Sequence, residues 1–215
     1  MLLPGDFLPE VEEHPENIAI GEWALETALQ QIALWAQQGR HIGVSVNVSA
    51  QQLQSADFVE RLQLLLQRHP QVQPALLQIE VLETSALQDL ARVGETMAAC
   101  QAIGVSFALD DFGTGYSSLT YLKHLPAHTL KIDQSFVRDM LSDESDLAIV
   151  NGVIGLAGAF GREVIAEGVE TRAHGQLLLS LGCEMAQGFG IGRPMPVQAL
   201  DDWLRAWDSG RGWAA

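Results

Sequence analysis

Short apolar runs alternate along the chain with longer segments in which apolar residues recur at helical spacing. Each short run is almost continuously apolar, which is typical of strands buried on both faces in a parallel sheet. The alternation predicts an α/β protein in which helices cover such a sheet, either doubly wound and open or closed as a (β/α) barrel. The six predicted strands are Gly43–Val48, Leu76–Leu82, Val105–Leu109, Thr129–Ile132, Glu163–Ala166 and Glu184–Gly188.

The helical segments carry start and stop signals. Leu53–Gln67 repeats leucine at helical spacing and follows a capping-box pattern that begins at Ser49. The segment Leu87–Ala102 is predicted to end at Gly104, a typical helix stop. No low-complexity linker interrupts the alternation, so residues 1–215 are predicted to form a single domain. The other predicted helices are Phe136–Met140, Ser145–Phe160, a segment from Thr171 to Leu181, and Val197–Trp207.

Polar side chains occur at or near the end of every predicted strand. Functional sites of parallel α/β folds are built at the carboxyl ends of the strands, so these side chains are expected to converge. Individually, several have a simpler interpretation. An acid after a strand often caps a helix or forms a turn, and a lone lysine can reach solvent from the rim. The residues are Asn47, Glu80, Glu83, Asp110, Asp111, Lys131, Asp133, Glu167, Glu170 and Gln187.

Glu80 is the hardest of these to explain without a ligand. It lies between Ile79 and Val81 inside an apolar run, and a buried carboxylate without a partner is costly. The group as a whole is rich in oxygen ligands and has neither a thiolate nor a histidine pair, which favours Mg²⁺ or Mn²⁺ over zinc. Several acids at one point favour two ions, an arrangement that hydrolyses phosphodiesters. Lys131 would add positive charge or a proton relay near the attacking water, and Gln187 would orient water or substrate.

The composition narrows the class of partner. A net charge of −15 argues against a surface that binds polymeric nucleic acid, but an acidic site that binds cations can still hold a small phosphorylated ligand. Cys100 and Cys183 lack metal-ligand spacing and are predicted to be buried thiols in a reducing compartment. The chain has no run long enough to span a bilayer and no signal peptide, so a cytoplasmic domain without membrane contact of its own is expected. The parent protein could still be anchored through other domains.

Six segments resemble the motifs of one protein family, in the same order. Together they make the chain resemble the EAL domain family, bacterial phosphodiesterases that hydrolyse cyclic di-GMP to the linear dinucleotide pGpG. The resemblance covers nearly the whole chain, and DDFGTGYSSL followed by LKID and AEGVET is highly specific. The segments are SVNVSAQQL (Ser45–Leu53), IEVLETSAL (Ile79–Leu87), DDFGTGYSSLTYLKHLP (Asp110–Pro126), LKIDQSFV (Leu130–Val137), IAEGVET (Ile165–Thr171) and QGFGIGRPMP (Gln187–Pro196).

This resemblance implies a TIM-like (β/α) barrel, two bound Mg²⁺ or Mn²⁺ ions, cyclic di-GMP as ligand, and a homodimer. It implies metal ligation by Asn47, Glu80, Asp110, Asp111 and Glu167. It implies catalytic roles for Lys131, Glu167, Asp110, Asp111 and Gln187, and substrate contacts from Asn47, Asp133, Gln187 and Pro194. It also implies a loop, steadied by Glu83, that couples metal binding to dimerisation and consists of Phe112, Gly113, Thr114, Gly115, Tyr116, Ser117 and Ser118.

One departure from the family pattern is the absence of the Glu-Ala-Leu motif that names it. Residues Leu2–Leu29 resemble the segment that follows this motif in the family. The expectation is therefore a barrel with about six of eight strands, lacking one glutamate ligand and a phosphate-binding arginine. Hydrolysis by this chain is expected to be weak or absent. The strands Gly43–Val48 and Glu184–Gly188 are expected to form unpaired edges that favour self-association.

Other functions fit fewer of the residues. A non-catalytic receptor for cyclic di-GMP, or a protein-interaction module, would keep the fold and lose turnover. An enolase-like barrel would use Lys131 as base, but it does not explain the adjacent Asp110 and Asp111. A Rossmann site lacks its third glycine after Gly113 and Gly115. The kinase-like DFG at Asp111–Gly113 lacks a glycine-rich loop and an HRD-like segment, so it is a chance match.

Overall fold

The computed structural model describes residues 16–83, 89–114 and 119–208. The contacts between residues divide the chain into two compact units. The first comprises Met1–Leu109 and Ser117–His128, and the second comprises Asp110–Tyr116 and Thr129–Ala215. Strand β3 (Ser106–Phe112) runs from the first unit into the second.

The first unit carries two complete strands and five helices among its described residues. Its hydrogen-bonded strand order is β1-β2-β3. Strands β1 and β2 are parallel, with Val44 opposite Leu77 and Asn47 opposite Glu80. The elements are α1 (Glu16–Gln37), β1 (Val44–Asn47), α2 (Ala50–Leu53), α3 (Phe58–Arg68), β2 (Leu77–Leu82), α4 (Leu90–Ala102) and α5 (Leu119–His124).

Helix α1 buries one face by means of residues spaced three and four apart. Leu25, Leu29 and Ile32 are fully buried and lie on the same side of the helix. Helix α1 packs against α3, whose Phe58 and Leu62 are also buried. Shortening one of these leucines to alanine would typically cost about 2–5 kcal/mol of unfolding free energy.

The predicted helix Leu53–Gln67 is wrong as a single element, because the chain forms α2 and α3 with a break at residues 54–57. Within the break, the Ser55 hydroxyl donates a hydrogen bond to the Asp57 carboxylate, a local interaction that competes with helical geometry. The predicted cap is confirmed, since Ser49 Oγ accepts from Gln52 N at 3.3 Å. Gly104, with φ of +94°, follows α4 and confirms the predicted stop.

In the second unit the hydrogen-bonded strand order is β3-β4-β5-β6. Strand β5 is parallel to both of its neighbours, with Lys131 opposite Ile165 and Ala166 opposite Ala186. Thr171 caps α8, as predicted, by accepting from His174 N. The elements are β4 (Thr129–Ile132), α6 (Gln134–Asp139), α7 (Glu144–Ala159), β5 (Glu163–Ala166), α8 (Arg172–Ser180), β6 (Met185–Ala186) and α9 (Leu200–Ala206).

The predicted bounds were accurate for β4 and β5 and less accurate for the carboxyl end of β3 and for β6. The bounds of β4 and β5 are those predicted. Strand β3 is longer than predicted because it includes Asp110, Asp111 and Phe112. Strand β6 has only two residues, because the chain turns at Gly188 and approaches the Val169 backbone. Strands β1 and β6 are the outermost of the six, which confirms their prediction as edges.

The last predicted helix is also divided. A 3-10 turn at Val197–Ala199 precedes α9, and Trp203 Nε1 donates to Ile191 O at 3.1 Å. Within the described residues, no helix is both long enough and apolar enough to cross a bilayer.

Candidate active site

Lys131 lies at the centre of the candidate site in the second unit. Its side chain is 3% exposed, and Nζ lies 2.9 Å from Asp110 Oδ1 and 2.8 Å from Glu167 Oε1. The four residues of β4 are all buried, so the lysine does not extend to solvent as a rim residue would. Because Lys131 pairs with Ile165, Glu167 lies two residues further along on the same face of the sheet. The register therefore brings lysine and carboxylate together.

Three carboxylates converge beside this lysine. Oxygen atoms of Asp110, Asp111 and Glu167 lie within 4.8 Å of one another. The side chains of Asp110 and Glu167 are each only 12% exposed. In the part of the chain that the structure describes, this is the only group of three or more acidic, histidine or cysteine side chains positioned to hold a metal ion. The predicted convergence at the strand ends is thus observed for these three.

Asp111 has an unusual backbone and an unusual pKa. Its φ of +53° places it in the left-handed region, which aspartate tolerates better than most residues. Burial, the negative charge of Asp110 and a hydrogen bond with Asp133 raise the pKa of Asp111 to about 6. In its protonated form Asp111 donates that hydrogen bond to the Asp133 carboxylate.

Asp133 combines a capping role with a place in the site. Its carboxylate caps α6 by accepting from Ser135 N at 3.0 Å, so the capping interpretation is confirmed. Burial raises its pKa, but hydrogen bonds from the Ser135 hydroxyl and backbone outweigh burial and leave the pKa below its usual value. The pair therefore consists of one carboxyl that gains a proton readily and one that resists it.

Gln187 completes the contacts on Glu167. Its Nε2 donates a hydrogen bond to Glu167 Oε1, the same oxygen that accepts from Lys131. Its backbone N–H donates to Ala166 O at 2.8 Å, which extends the β5–β6 pairing by one residue. Gln187 and Pro194 are both exposed, so both are accessible to a ligand.

The first unit holds the other predicted ligands. Asn47 on β1 and Glu80 on β2 are opposite each other in register, so their side chains share one face of the sheet. Asn47 is exposed. Glu80 and Glu83 are buried, with 6% and 3% exposure. Metal ligation by Asn47 and Glu80, and loop support by Glu83, stay predictions.

The predicted coupling loop is only partly described. Phe112 is buried, and Gly113 lies so close to Phe136 that an added Cβ would be 3.1 Å from the ring. The Thr114 hydroxyl donates a hydrogen bond to the backbone oxygen of Asp111 at 2.9 Å. This contact holds the start of the loop beside the three carboxylates. Four further members of the predicted loop lie outside the described residues, namely Gly115, Tyr116, Ser117 and Ser118.

Two features of the site were not predicted from sequence. Hydrogen bonds from Ser135 lower the pKa of Asp133. The Asp-x-Ser pattern at a helix start is the sequence signal that indicates such a cap. The left-handed backbone at Asp111 had no specific signal beyond the tolerance of aspartate for that region.

The profile of the EAL domain matches residues 1–194 of the chain. The chain belongs to the EAL domain family. Among curated relatives, it is 41% identical over 201 residues to the bifunctional diguanylate cyclase/cyclic di-GMP phosphodiesterase MucR of Pseudomonas aeruginosa, which covers 93% of this chain and 29% of that protein. It is 35% identical over 202 residues to the cyclic di-GMP phosphodiesterase PA2567 of the same organism, covering 94% of this chain and 34% of that protein. The chain thus spans about a third or less of the length of these relatives.

Solved EAL structures match the fold closely. The PaMucR phosphodiesterase in complex with c-di-GMP has a TM-score of 0.88 and 42% identity, covering 93% of this chain and 81% of that one. The EAL enzyme Bd1971, bound to cAMP and cyclic di-GMP, has a TM-score of 0.87 and 32% identity, covering 93% and 55%. The predicted EAL-type, TIM-like α/β fold is confirmed by these matches, and membership of the family favours it over an enolase-like barrel.

Proposed function

We propose that this EAL domain hydrolyses cyclic di-GMP to pGpG with the help of divalent cations, and that turnover by residues 1–215 is weak, as expected from the sequence. The observation that carries the proposal is Lys131, buried between Asp110 and Glu167 with Asp111 beside them. A buried lysine held by two carboxylates, with a third carboxyl whose pKa is about 6, is a group of charges that suits catalysis more than stability. The relatives named as cyclic di-GMP phosphodiesterases support the choice of substrate.

The carboxylate group suits a divalent cation. Its three acids have a single lysine beside them. The pKa of Asp111 is raised because burial and the negative charge of Asp110 both disfavour its ionised form, and a bound cation would offset that charge. Asp110, Asp111 and Glu167 would hold the cations. Ligation by Asn47 and Glu80 is a separate proposal, which follows from the family resemblance alone. Oxygen ligands of this kind suit Mg²⁺ or Mn²⁺, and we propose two ions. When bound, such ions supply Lewis acidity that activates water and offsets the charge of the phosphate.

The protein side chains would divide the remaining work. The product pGpG keeps its phosphate on a 5′ oxygen, so water forms the new P–O bond while the P–O3′ bond breaks and the 3′ oxygen takes up a proton. Lys131 holds Asp110 and Glu167 in place and would donate a hydrogen bond toward the reacting water or a phosphate oxygen. Gln187, bound to Glu167, would orient water or substrate, and Asp133, Asn47 and Pro194 would contact the dinucleotide.

The test is turnover of cyclic di-GMP with Mg²⁺, Mn²⁺ or EDTA, followed by chromatography of pGpG, with equilibrium binding measured in parallel. Product formation should require the cation and fall at least about a hundredfold in Lys131→Met, as expected for loss of a group acting on protons in the transition state. Lys123 is the only other lysine in the chain and is exposed, so Lys123→Met is a matched control that should retain activity. Binding without any product would instead support a cyclic di-GMP receptor.

Self-association is a separate proposal. Strands β1 and β6 each have one hydrogen-bonded neighbour among the described strands, and an open strand edge can pair with another chain. We propose a homodimer or other self-association of this domain. Analytical ultracentrifugation should detect it, and a monomer that persists across the concentration range would contradict it.

A further inference from the structure

His174 on α8 is a buried residue that the proposed mechanism does not use. It is 5% exposed, and its ring contacts two separate elements of the second unit. Nε2 lies 3.1 Å from Arg138 O in the last turn of α6, and Nδ1 lies 2.7 Å from Thr171 Oγ1 at the start of α8. Because a carbonyl oxygen only accepts, Nε2 carries the proton and donates to it, and Nδ1 accepts from the Thr171 hydroxyl. The ring thus forms a histidine bridge between α6 and α8.

The histidine bridge satisfies polar groups at two helix ends. Carbonyls in the last turn of a helix have no partner within that helix, and Arg138 O finds one in the imidazole. Thr171 Oγ1 also accepts from His174 N at 3.4 Å, so the hydroxyl is engaged as both donor and acceptor. Removing one partner of a buried hydrogen bond leaves the other without a substitute, which makes the bridge costly to break.

The segment after β4 and the segment after β5 also contact each other nearer the candidate active site. Glu167 N donates to Ile132 O at 3.1 Å, which continues the β4–β5 pairing. Gly168, with φ of +72°, lies so close to Gln134 that an added Cβ would be 2.7 Å from the Gln134 Cβ. The two segments are therefore joined at their start by backbone contacts and at their far end by the histidine bridge.

Two residues of the candidate active site stand at the start of these joined segments. Asp133 follows Ile132 and caps α6, and Glu167 belongs to the group of three carboxylates. Helix α6 has only six residues, so it spans about 9 Å from its cap to its end. A helix this short moves as one piece, so a shift at Arg138 O is transmitted to the carboxylate of Asp133.

We propose that His174 is a positioning residue for the candidate active site, fixing the spacing between Asp133 and Glu167 through the histidine bridge. The inference rests on the proposed function and adds a residue that supports its cation and substrate contacts. His174 itself touches neither group. Loss of hydrogen bonds that support metal ligands typically weakens metal binding about 10–100-fold. A bridge that only stabilised α8 would lower the resistance to unfolding and leave binding by the folded protein unchanged.

The experiment measures Mn²⁺ binding to metal-free protein by calorimetry, with kcat and KM for cyclic di-GMP at saturating Mn²⁺. His174→Ala should raise the Kd for Mn²⁺ about tenfold and raise KM. The value of kcat should stay within about threefold of wild type, because no group acting on the reacting atoms is lost. Circular dichroism and urea unfolding would verify that each variant is folded under the conditions of the binding measurement.

Two conservative variants separate the bridge from local capping. In His174→Gln the longer amide can still donate to Arg138 O, so the Kd for Mn²⁺ should return to within about threefold of wild type. The shorter side chain of His174→Asn keeps an acceptor beside Thr171 and loses the contact with α6, so it should behave like His174→Ala. This comparison decides alone if His174→Ala does not fold. Equal recovery by both variants would overturn the inference.

Gln176→Ala is the matched control, because Gln176 is an exposed polar residue of the same helix. It should leave the Kd for Mn²⁺, KM and kcat unchanged. Wild-type Kd and KM in folded His174→Ala, alongside cation binding and turnover by the parent chain, would overturn this inference and leave the proposed function intact. A parent chain that neither binds Mn²⁺ nor hydrolyses cyclic di-GMP would overturn both.

Discussion

Two groups of ionic contacts use the same kinds of side chain in very different surroundings. In the first unit, Arg61 contacts Glu22 at 3.0 Å and His69 contacts Glu26 at 2.9 Å, which joins α3 and its end to α1. The side chains of Arg61 and Glu22 are 29% and 41% exposed, whereas that of Lys131 is 3% exposed. Solvent screens the ion pairs of the first unit, so they contribute only modestly to the free energy of unfolding. The buried charges around Lys131 carry a large desolvation cost, and such groups are typical of catalytic sites.

The two groups also differ in how protons affect them. Burial and neighbouring acids raise the pKa of Asp111 to about 6. In the first unit, the hydrogen bond from His69 holds the pKa of Glu26 below its usual value. A raised carboxyl pKa favours folding at low pH, and a lowered one favours folding at higher pH. The contrast between the groups is therefore measurable as opposite pH dependences.

Replacing Lys131 with methionine should have the largest effect on stability. The change leaves Asp110 and Glu167 without the buried cation between them, and breaking such a pair typically costs about 3–5 kcal/mol. Mg²⁺ should restore part of the loss if it binds the same carboxylates. Urea unfolding in EDTA and in Mg²⁺ would measure both effects. An unchanged midpoint in EDTA would mean that the buried ionic group contributes no stability.

The second prediction concerns Asp111 in metal-free protein. Its folded pKa of about 6 exceeds the ordinary value of 3.8, so its contribution to stability is full below the ordinary pKa and is lost as pH rises through 6. Asp111→Asn should remove this decline, measured by urea unfolding from pH 4 to pH 7 in EDTA. Asp139→Asn, an exposed acid on α6, is the control that should keep it. Parallel profiles for wild type and Asp111→Asn would contradict the assignment.

Glu26→Gln tests the opposite sign. The folded pKa of Glu26 lies below 4.5, so its contribution is present above 4.5 and is lost as pH falls through the folded pKa. The variant should lose about 1 kcal/mol of unfolding free energy at neutral pH, and the difference from wild type should shrink in acid. Thermal unfolding across pH would reveal this. A difference that grew in acid would refute the ionised hydrogen bond with His69.

The smallest effect is expected for Arg205, which forms an ion pair with Asp202 within α9. These side chains are 71% and 82% exposed, so water and salt screen the pair almost fully. Arg205→Met should change the unfolding free energy by less than about 0.5 kcal/mol. A larger loss, measured by urea unfolding, would show that exposure is a poor guide to the strength of these ionic contacts.

Much of the fold was predictable because its signals are local. The apolar runs at Thr129–Ile132 and Glu163–Ala166 have the predicted bounds, and Ser49 and Thr171 cap helices as their positions indicate. The break between α2 and α3 was missed, since a leucine repeat hides the competing contact between Ser55 and Asp57. Strand ends were also imprecise, because a strand extends only as far as its neighbours offer backbone partners.

The candidate site was predictable as a set of residue types and less so as a set of contacts. Polar residues within or just after the apolar runs predict Asp110, Lys131 and Glu167 as site residues from the sequence alone. Which oxygen accepts from Lys131, and that Asp111 hydrogen-bonds Asp133, depends on strand register and on the backbone at Asp111. No local pattern encodes these features, because the partners are far apart in the sequence.

By itself, the sequence determined the strand–helix alternation, the acidic character of the protein, the oxygen-rich set of candidate ligands and membership of the EAL family. These follow from residue type and order along the chain. Only the tertiary structure decided that Lys131 is enclosed by Asp110 and Glu167, that Asp111 shares a hydrogen bond with Asp133, and that His174 joins α6 to α8. The protonation and the contacts of these side chains depend on their burial and on their distances to one another. Burial and distances are fixed only when separate strands and loops pack together.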